Sequence, residues 1–274
     1  MKVLVTGASG FIGSFLVEKG VEKGYEVWAG MRASSSRRFL PKDGVHFVEL
    51  DMSSPGKLAE TLAAFKKEHG AWDYVVHAAG VTKCTDKKEF FKVNYEGTKN
   101  LVDALAAQGM APSKFIYLSS LSVFGPVREE QPYTAINDSD EPRPNTAYGQ
   151  SKLMSEAYIR NNVSLPYVIF RPTGVYGPRE RDYFKMAQSI KSHIDFAAGY
   201  KPQVITFEGH ICSHRKGCAK KMLFCERATW LQQPEFQRLY TKIYGYRTCN
   251  THKSPIMGVE SNIVGIGIYI GPDR

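Results

Sequence analysis

The sequence predicts an α/β fold built on a doubly wound parallel sheet, and three observations carry that expectation. Apolar strand-like runs alternate with helical patterns through the first two hundred residues. The first such run ends in a glycine-rich turn that opens a helix, Thr6-Gly7-Ala8-Ser9-Gly10-Phe11-Ile12-Gly13. Most of the later runs also end in small, polar or glycine residues, and ligands bind beyond the carboxyl ends of strands in such sheets.

Taken in order, strands are expected at residues 2–5, 26–31, 45–50, 74–77, 115–118 and 167–170. Helices are expected from Phe11 to about Lys23, then at 55–67, 89–108 and 146–161. In the first turn, Gly7 permits a tight bend and Gly10 lets the backbone approach a pyrophosphate. Gly13 lets the helix pack close to the strand. The phosphates would sit at the helix N-terminus, where free N–H groups and the dipole favour anions. The sequence therefore reads as a Rossmann-type dinucleotide fold.

The chain has 274 residues, 43% of them hydrophobic, enough for a substantial core. No apolar run reaches the length of a membrane span. A strand at the N-terminus leaves no signal-peptide pattern, so a cytoplasmic protein without a membrane partner is expected. The net charge of +9 is uneven: residues 1–199 carry +3 and residues 200–274 carry +6. Four of the five cysteines, Cys212, Cys218, Cys225 and Cys249, also lie in that tail, and only Cys84 precedes it. Their spacing implies no disulfide framework.

Tyr148 and Lys152 stand four residues apart, on one face of a helix. A free phenol titrates near ~10. A neighbouring ammonium and a nicotinamide's positive charge would favour phenolate and bring that value down. Ser120, just past the fifth strand, suits the task of holding a substrate oxygen, with Ser119 and Ser122 as competitors. Cofactor choice turns on the end of the second strand, Gly30-Met31-Arg32. An acidic residue there would bind the ribose 2′-hydroxyl of NAD. Arg32 suits a 2′-phosphate instead, so NADP is favoured, with NAD as the alternative.

These motifs together resemble the extended short-chain dehydrogenase/reductase family, the NAD(P)-dependent epimerase/dehydratase group. The resemblance rests on TGASGFIG at 6–13, Asp51, DYVVHAAG at 73–80, NYEGTKNL at 94–101, SSLSVFG at 119–125, YGQSK at 148–152 and RPTGVYGP at 171–178. It implies Tyr148 as acid/base, Lys152 as the group that orients the ribose and tunes Tyr148, and Ser120 as the hold on the substrate hydroxyl. It implies Asp51 and Met52 beside the adenine, Ala78, Ala79 and Gly80 along the cofactor, and Asn94 as a supporting polar residue. His77 is expected to be a packed strand-end histidine. Lys83, Val123, Tyr176 and Arg179 are candidates for the rim. The substrate is expected to be a nucleotide-sugar or a related secondary alcohol, and family members often pair through the helix that carries the tyrosine, making a homodimer an expectation. The other reading is a dinucleotide-binding chain without turnover, a redox sensor or a C-terminally defective product.

Two regions are expected: residues 1–200 as the dinucleotide-binding domain with the catalytic residues, and 201–274 as an anomalous C-terminal region. After a strand within 201–207, the family pattern would continue into an aromatic-Val-x-Asp stretch. This chain reads His210-Ile211-Cys212 instead. The codons CAT ATA TGT encode that tripeptide and, shifted by one nucleotide, begin Ile-Tyr-Val. A tail translated out of frame from about residue 208 is therefore expected, with a divergent substrate subdomain as the other reading. His210, Cys212, His214, Cys218 and Cys225 lack the paired spacing of a structural zinc site. No metal is expected, and the basic runs are read as solvated rather than as a nucleic-acid surface.

Overall fold

The computed structural model describes residues 1–126, 136, 139–162, 164–181, 184, 185, 188, 206 and 207. The tail from 208, with its cysteines and the zinc and frame readings attached to it, lies outside the described residues, as does the expected boundary at 200. The described chain divides into two compact units, with the break between Pro172 and Thr173.

The first unit is a six-stranded sheet. Its strands are β1 (Lys2–Thr6), β2 (Glu26–Met31), β3 (Val45–Glu49), β4 (Tyr74–His77), β5 (Lys114–Leu118) and β6 (Tyr167–Phe170). Every pairing is parallel, in the order β3-β2-β1-β4-β5-β6. The chain direction of the winding reverses between β1 and β4, which makes the carboxyl ends of those two strands the switch point. β1 is buried at four of its five residues because neighbouring strands and packed layers enclose it.

Side chains alternate across the sheet and build two cores. Leu4, Val75, Phe115 and Tyr117 point to the face covered by α2 (Pro55–His69), α4 (Gly97–Ala107) and α5 (Ala147–Asn161), where they meet Leu58, Leu62, Leu101, Leu105 and Ile159. Val3, Val5, Ala29 and Val76 point to the face of α1 (Phe11–Glu22), where they meet Val17. Helix boundaries follow local chemistry. α2 has Pro at its start, where a missing N–H costs nothing, and ends at Gly70 in the left-handed region (φ 77°). α5 is capped by Thr146, whose hydroxyl accepts from the Gly149 N–H at 3.0 Å.

The helix expected at 89–108 is not uniform. A short α3 (Lys88–Phe90) widens into a π-helical segment, Phe91–Glu96, before α4 resumes. The pattern of apolar residues does not reveal the change, because the π segment is only six residues long, too short for a separate period to be read. The second unit contains β7 (Val175–Tyr176) and β8 (Thr206–Phe207), paired in parallel.

Leu105 is fully buried in the larger core. Leu105→Ala is expected to destabilise the protein by about 2–5 kcal/mol through lost burial and an unfilled cavity. The urea midpoint of the variant against the parent chain measures this.

Candidate active site

The carboxyl ends of β1 and β4 are pressed together. Gly7 adopts φ 66°, and a Cβ on it would lie 2.7 Å from the Ala79 backbone. Only a residue without a side chain closes this turn. A Cβ at Gly13 would collide with the Gly7 carbonyl, so the first turn of α1 rests directly on the loop. Gly10 stands exposed as the α1 N-cap with no side-chain capping bond, and its N–H donates to the Gly7 carbonyl at 2.9 Å. No acidic residue stands in the first turn of α1. Phe11 and Ile12 are part-exposed there, and Phe11 packs edge-on against Phe15 (5.9 Å). A helix start without a side-chain cap beside a glycine-rich turn fits a dinucleotide pyrophosphate. The residues present therefore suit the cofactor that the sequence implies.

Beyond β4, Ala78 and Ala79 are part-buried and Gly80 is exposed. A Cβ at Gly80 would lie 2.9 Å from Asn94 Oδ1 and 3.3 Å from Lys152 Nζ, so two polar side chains converge on this point. Asn94 is buried in the π-helical segment. Its Oδ1 accepts from the Val81 N–H (2.8 Å), and its Nδ2 donates to the Val81 carbonyl and to Ser151 Oγ (both 3.1 Å).

α5 brings Tyr148 and Lys152 to the same end of the sheet. Tyr148 meets the Phe90 ring edge-on at 5.8 Å, and the Ser120 hydroxyl is the side-chain group that acts on its phenol. The expected lowering of Tyr148 is not what the protein alone produces: burial pushes the phenol up, and the influence of the Ser120 hydroxyl acts in the opposite direction. The Lys152 ammonium is spoken for, donating to the Leu118 carbonyl at 2.9 Å and lying 4.9 Å from the Tyr117 ring centroid. Burial lowers Lys152 to about 8, against a raising influence from Glu156. Ser120 donates to Ser122 Oγ (3.1 Å) and accepts from the Ser122 N–H (3.2 Å), which orients it beyond β5. Ser119 turns the other way and is buried against Glu156.

At the ends of β2 and β3, Arg32 is exposed and Asp51 part-exposed. Two bonds from Ser53 hold the Asp51 carboxyl below its usual range, with smaller contributions from Lys57 and Arg32. A carboxylate therefore lies within the electrostatic reach of Arg32, although none adjoins it in sequence. Arg37 lies over the Phe47 ring at 4.0 Å, away from Arg32's role. Met52 is part-buried, and its carbonyl accepts from Asn100 Nδ2 at 2.9 Å. Of the rim candidates, Val123 is fully buried and Lys83 exposed. Arg179 takes φ 74° in the second unit, and the Tyr176 side chain is outside the described set.

A buried polar cluster below the site was not read from the sequence. Glu156 accepts from Ser119 Oγ (2.5 Å), Arg171 Nε (2.9 Å), Arg171 Nη2 (2.5 Å) and Arg160 Nη2 (3.1 Å). The four-residue step from Lys152 to Glu156 was the one available signal, since it puts both groups on one helical face.

The family model for the NAD dependent epimerase/dehydratase family matches residues 3–206. The chain belongs to this family. Among curated relatives, 3-beta-hydroxysteroid dehydrogenase of Mycolicibacterium neoaurum is 28% identical over 218 residues, covering 73% of this chain and 55% of that one. ADP-L-glycero-D-manno-heptose-6-epimerase of Cupriavidus pinatubonensis is 29% identical over 206 residues, covering 69% and 56%. The solved UDP-glucose 4-epimerase of Thermus thermophilus, in complex with NAD, is 28% identical with a TM-score of 0.60, covering 71% of this chain and 64% of that one. The chain thus spans about half the length of these curated relatives. The Rossmann-type sheet expected from the sequence is the sheet of this epimerase/dehydratase family member. Among the described residues, no helix is long and apolar enough to cross a membrane.

His77 lies at the floor of the site, fully buried, and desolvation with the nearby Lys152 charge lowers it from 6.5 to about 3. Between those two values the unfolded chain holds a proton that the native imidazole does not. Unfolding then takes up a proton, so stability falls as pH drops through the window from about 6.5 to about 3. Urea midpoints at about pH 7 and about pH 5 should show this loss, and His77→Gln should show a shallower slope.

Proposed function

We propose that this chain is an NAD(P)-dependent epimerase/dehydratase or reductase acting at a secondary alcohol or carbonyl of a nucleotide-sugar or related small molecule. One observation carries the reading: Tyr148, whose phenol feels the Ser120 hydroxyl, stands on the helix whose Lys152 converges with Asn94 on Gly80, beside the tight Gly7 turn. The nucleotide-sugar class is supported by the epimerases among the relatives, whose own names specify sugar nucleotides.

A bound nicotinamide supplies hydride chemistry. The chain's own residues supply the rest. Ser120 holds the substrate oxygen. Tyr148 takes the hydroxyl proton on oxidation and returns it on reduction. Lys152, turned from the Leu118 carbonyl toward a ribose, adds a positive charge that favours the phenolate against the burial that opposes it. Thr6, Gly7, Gly10, Phe11, Ile12 and Gly13 hold the pyrophosphate. Ala78, Ala79 and Gly80 line the cofactor, with Asn94 supporting them. Asp51 and Met52 border the adenine. Arg32 pairs with a 2′-phosphate, which favours NADP over the NAD named for the solved relative. The residues given these roles all fall within 1–200, the region proposed as the dinucleotide-binding domain, with 201–274 as an anomalous C-terminal region. The exposed Met154 side chain on α5 offers an apolar contact for a second copy.

Tyr148→Phe is expected to cut turnover by roughly a hundred- to ten-thousand-fold while leaving cofactor affinity nearly intact. Lys152→Ala should lower both. The assay is NADPH or NADH oxidation against a panel of nucleotide-sugars, aldehydes and ketones, with calorimetry for the cofactor. Full activity in Tyr148→Phe would assign the proton to another residue.

NADPH is expected to bind more tightly than NADH, and Arg32→Asp should reverse the order by exchanging a phosphate partner for a hydroxyl acceptor. Calorimetric titration of both dinucleotides into both proteins decides the point. Tighter NADH binding by the unmodified chain would leave Arg32 without this role.

A further inference from the structure

A line of hydrogen bonds crosses the floor of the site through His77. The Ala79 N–H faces Thr6 Oγ1 at 3.4 Å, and Thr6 Oγ1 lies 2.7 Å from His77 Nδ1. On the far side of the ring, Nε2 lies 2.9 Å from Thr98 Oγ1, which donates to the Asn94 carbonyl at 2.5 Å. Asn94 then reaches Ser151 Oγ, which donates to the Tyr148 carbonyl at 2.8 Å. Ser155 Oγ lies within hydrogen-bond reach of both the Asn94 carbonyl (3.0 Å) and the Ser151 carbonyl (2.9 Å). Thr6, His77, Asn94, Thr98, Ser151 and Ser155 are all buried.

Proton counting gives this line one direction. A threonine hydroxyl has one proton. Thr98 gives its proton to Asn94, so it can only accept from Nε2. The ring therefore carries its hydrogen on Nε2 and presents a bare Nδ1. Thr6 must then donate to Nδ1, and its lone pairs are left facing the Ala79 N–H. The ring plane is held by stacking on Tyr117 (5.6 Å, 22°) and by Phe115 (5.8 Å). A buried imidazole with both nitrogens satisfied and its plane held is an oriented link.

We propose that His77 is a positioning residue, a neutral imidazole protonated at Nε2 that couples the Thr6–Ala79 edge of the dinucleotide loop to Asn94 and so to the helix carrying Tyr148 and Lys152, a role that rests on reading this site as a dinucleotide site. It neither donates nor accepts a proton in the reaction. The low proton affinity of the buried ring is consistent with that role. A residue that merely filled space would have no preferred tautomer and would not connect Thr6 to Thr98.

Two measurements on the full chain test the link. The first is the imidazole ¹⁵N spectrum of histidine-labelled protein near neutral pH, with the His77 signal assigned by its loss in His77→Gln. A neutral ring with hydrogen on Nε2 is expected. An Nδ1-protonated ring or an imidazolium overturns the proposal. The second is a double-mutant cycle of Thr6→Val and Thr98→Val, near-isosteric changes at positions separated by the ring. Each is expected to weaken NADP(H) binding about fivefold to tenfold, the size of one buried hydrogen bond left unmade. The double variant should lose clearly less than the product, and the coupling should vanish in a His77→Gln background. Multiplicative losses overturn the proposal. If the unmodified chain binds neither dinucleotide, the site reading fails. The tautomer and the same cycle read in urea midpoints still decide the His77 link.

Discussion

The close approach of the Gly7 turn to the Ala78–Ala79 backbone is the contact on which the site depends. It joins the ends of β1 and β4 at the point where the winding of the sheet reverses. Gly13 then seats α1 on the same turn, so loop, helix and strand share one small contact zone in which a single Cβ has no room. The fold thereby leaves helix-start amides without a side-chain cap beside the switch-point crevice. Anion binding at such a place needs no added cation, because the backbone supplies the donors.

The second constraint is electrostatic and lies on the other side of the crevice. Lys152 and Glu156 follow one another on α5, both buried, and each needs partners to remain so. Glu156 finds four donors from Ser119, Arg171 and Arg160, and so ties α5 to the ends of β5 and β6. Ser119 is thereby committed inward, while Ser120 is bonded with Ser122 and acts electrostatically on Tyr148. Lys152 has the Leu118 carbonyl and the Tyr117 ring. Its burial and that of Tyr148 both disfavour charge, so the phenolate chemistry proposed for this site draws on what binds there.

Membership in the epimerase/dehydratase family and the NAD-bound solved relative agree with a crevice of this kind. The relatives named above include a steroid dehydrogenase and two sugar-nucleotide epimerases. Relatives that share this segment are thus named for more than one substrate class, and fold by itself does not fix the substrate.

The sequence by itself determined the order of elements along the chain: six apolar runs, the Gly7–Gly10–Gly13 turn, and the face shared by Tyr148 and Lys152. Those features are local, since steric freedom at glycine, strand hydrophobicity and helical periodicity act over a few residues. The proposal of Ser120 over Ser119 rests on position in the chain, and the bond that ties Ser119 to Glu156 supports it. What only the tertiary structure decided depends on partners far apart in sequence. The π-helical turn at Phe91–Glu96 places Asn94 against Val81, and a 21-residue separation brings Thr98 to His77. Asp51 comes into the field of Arg32 because β2 and β3 are neighbours in the sheet. The upward shift of Tyr148 follows the same rule, because desolvation belongs to the packed environment of a group and not to its neighbours along the chain.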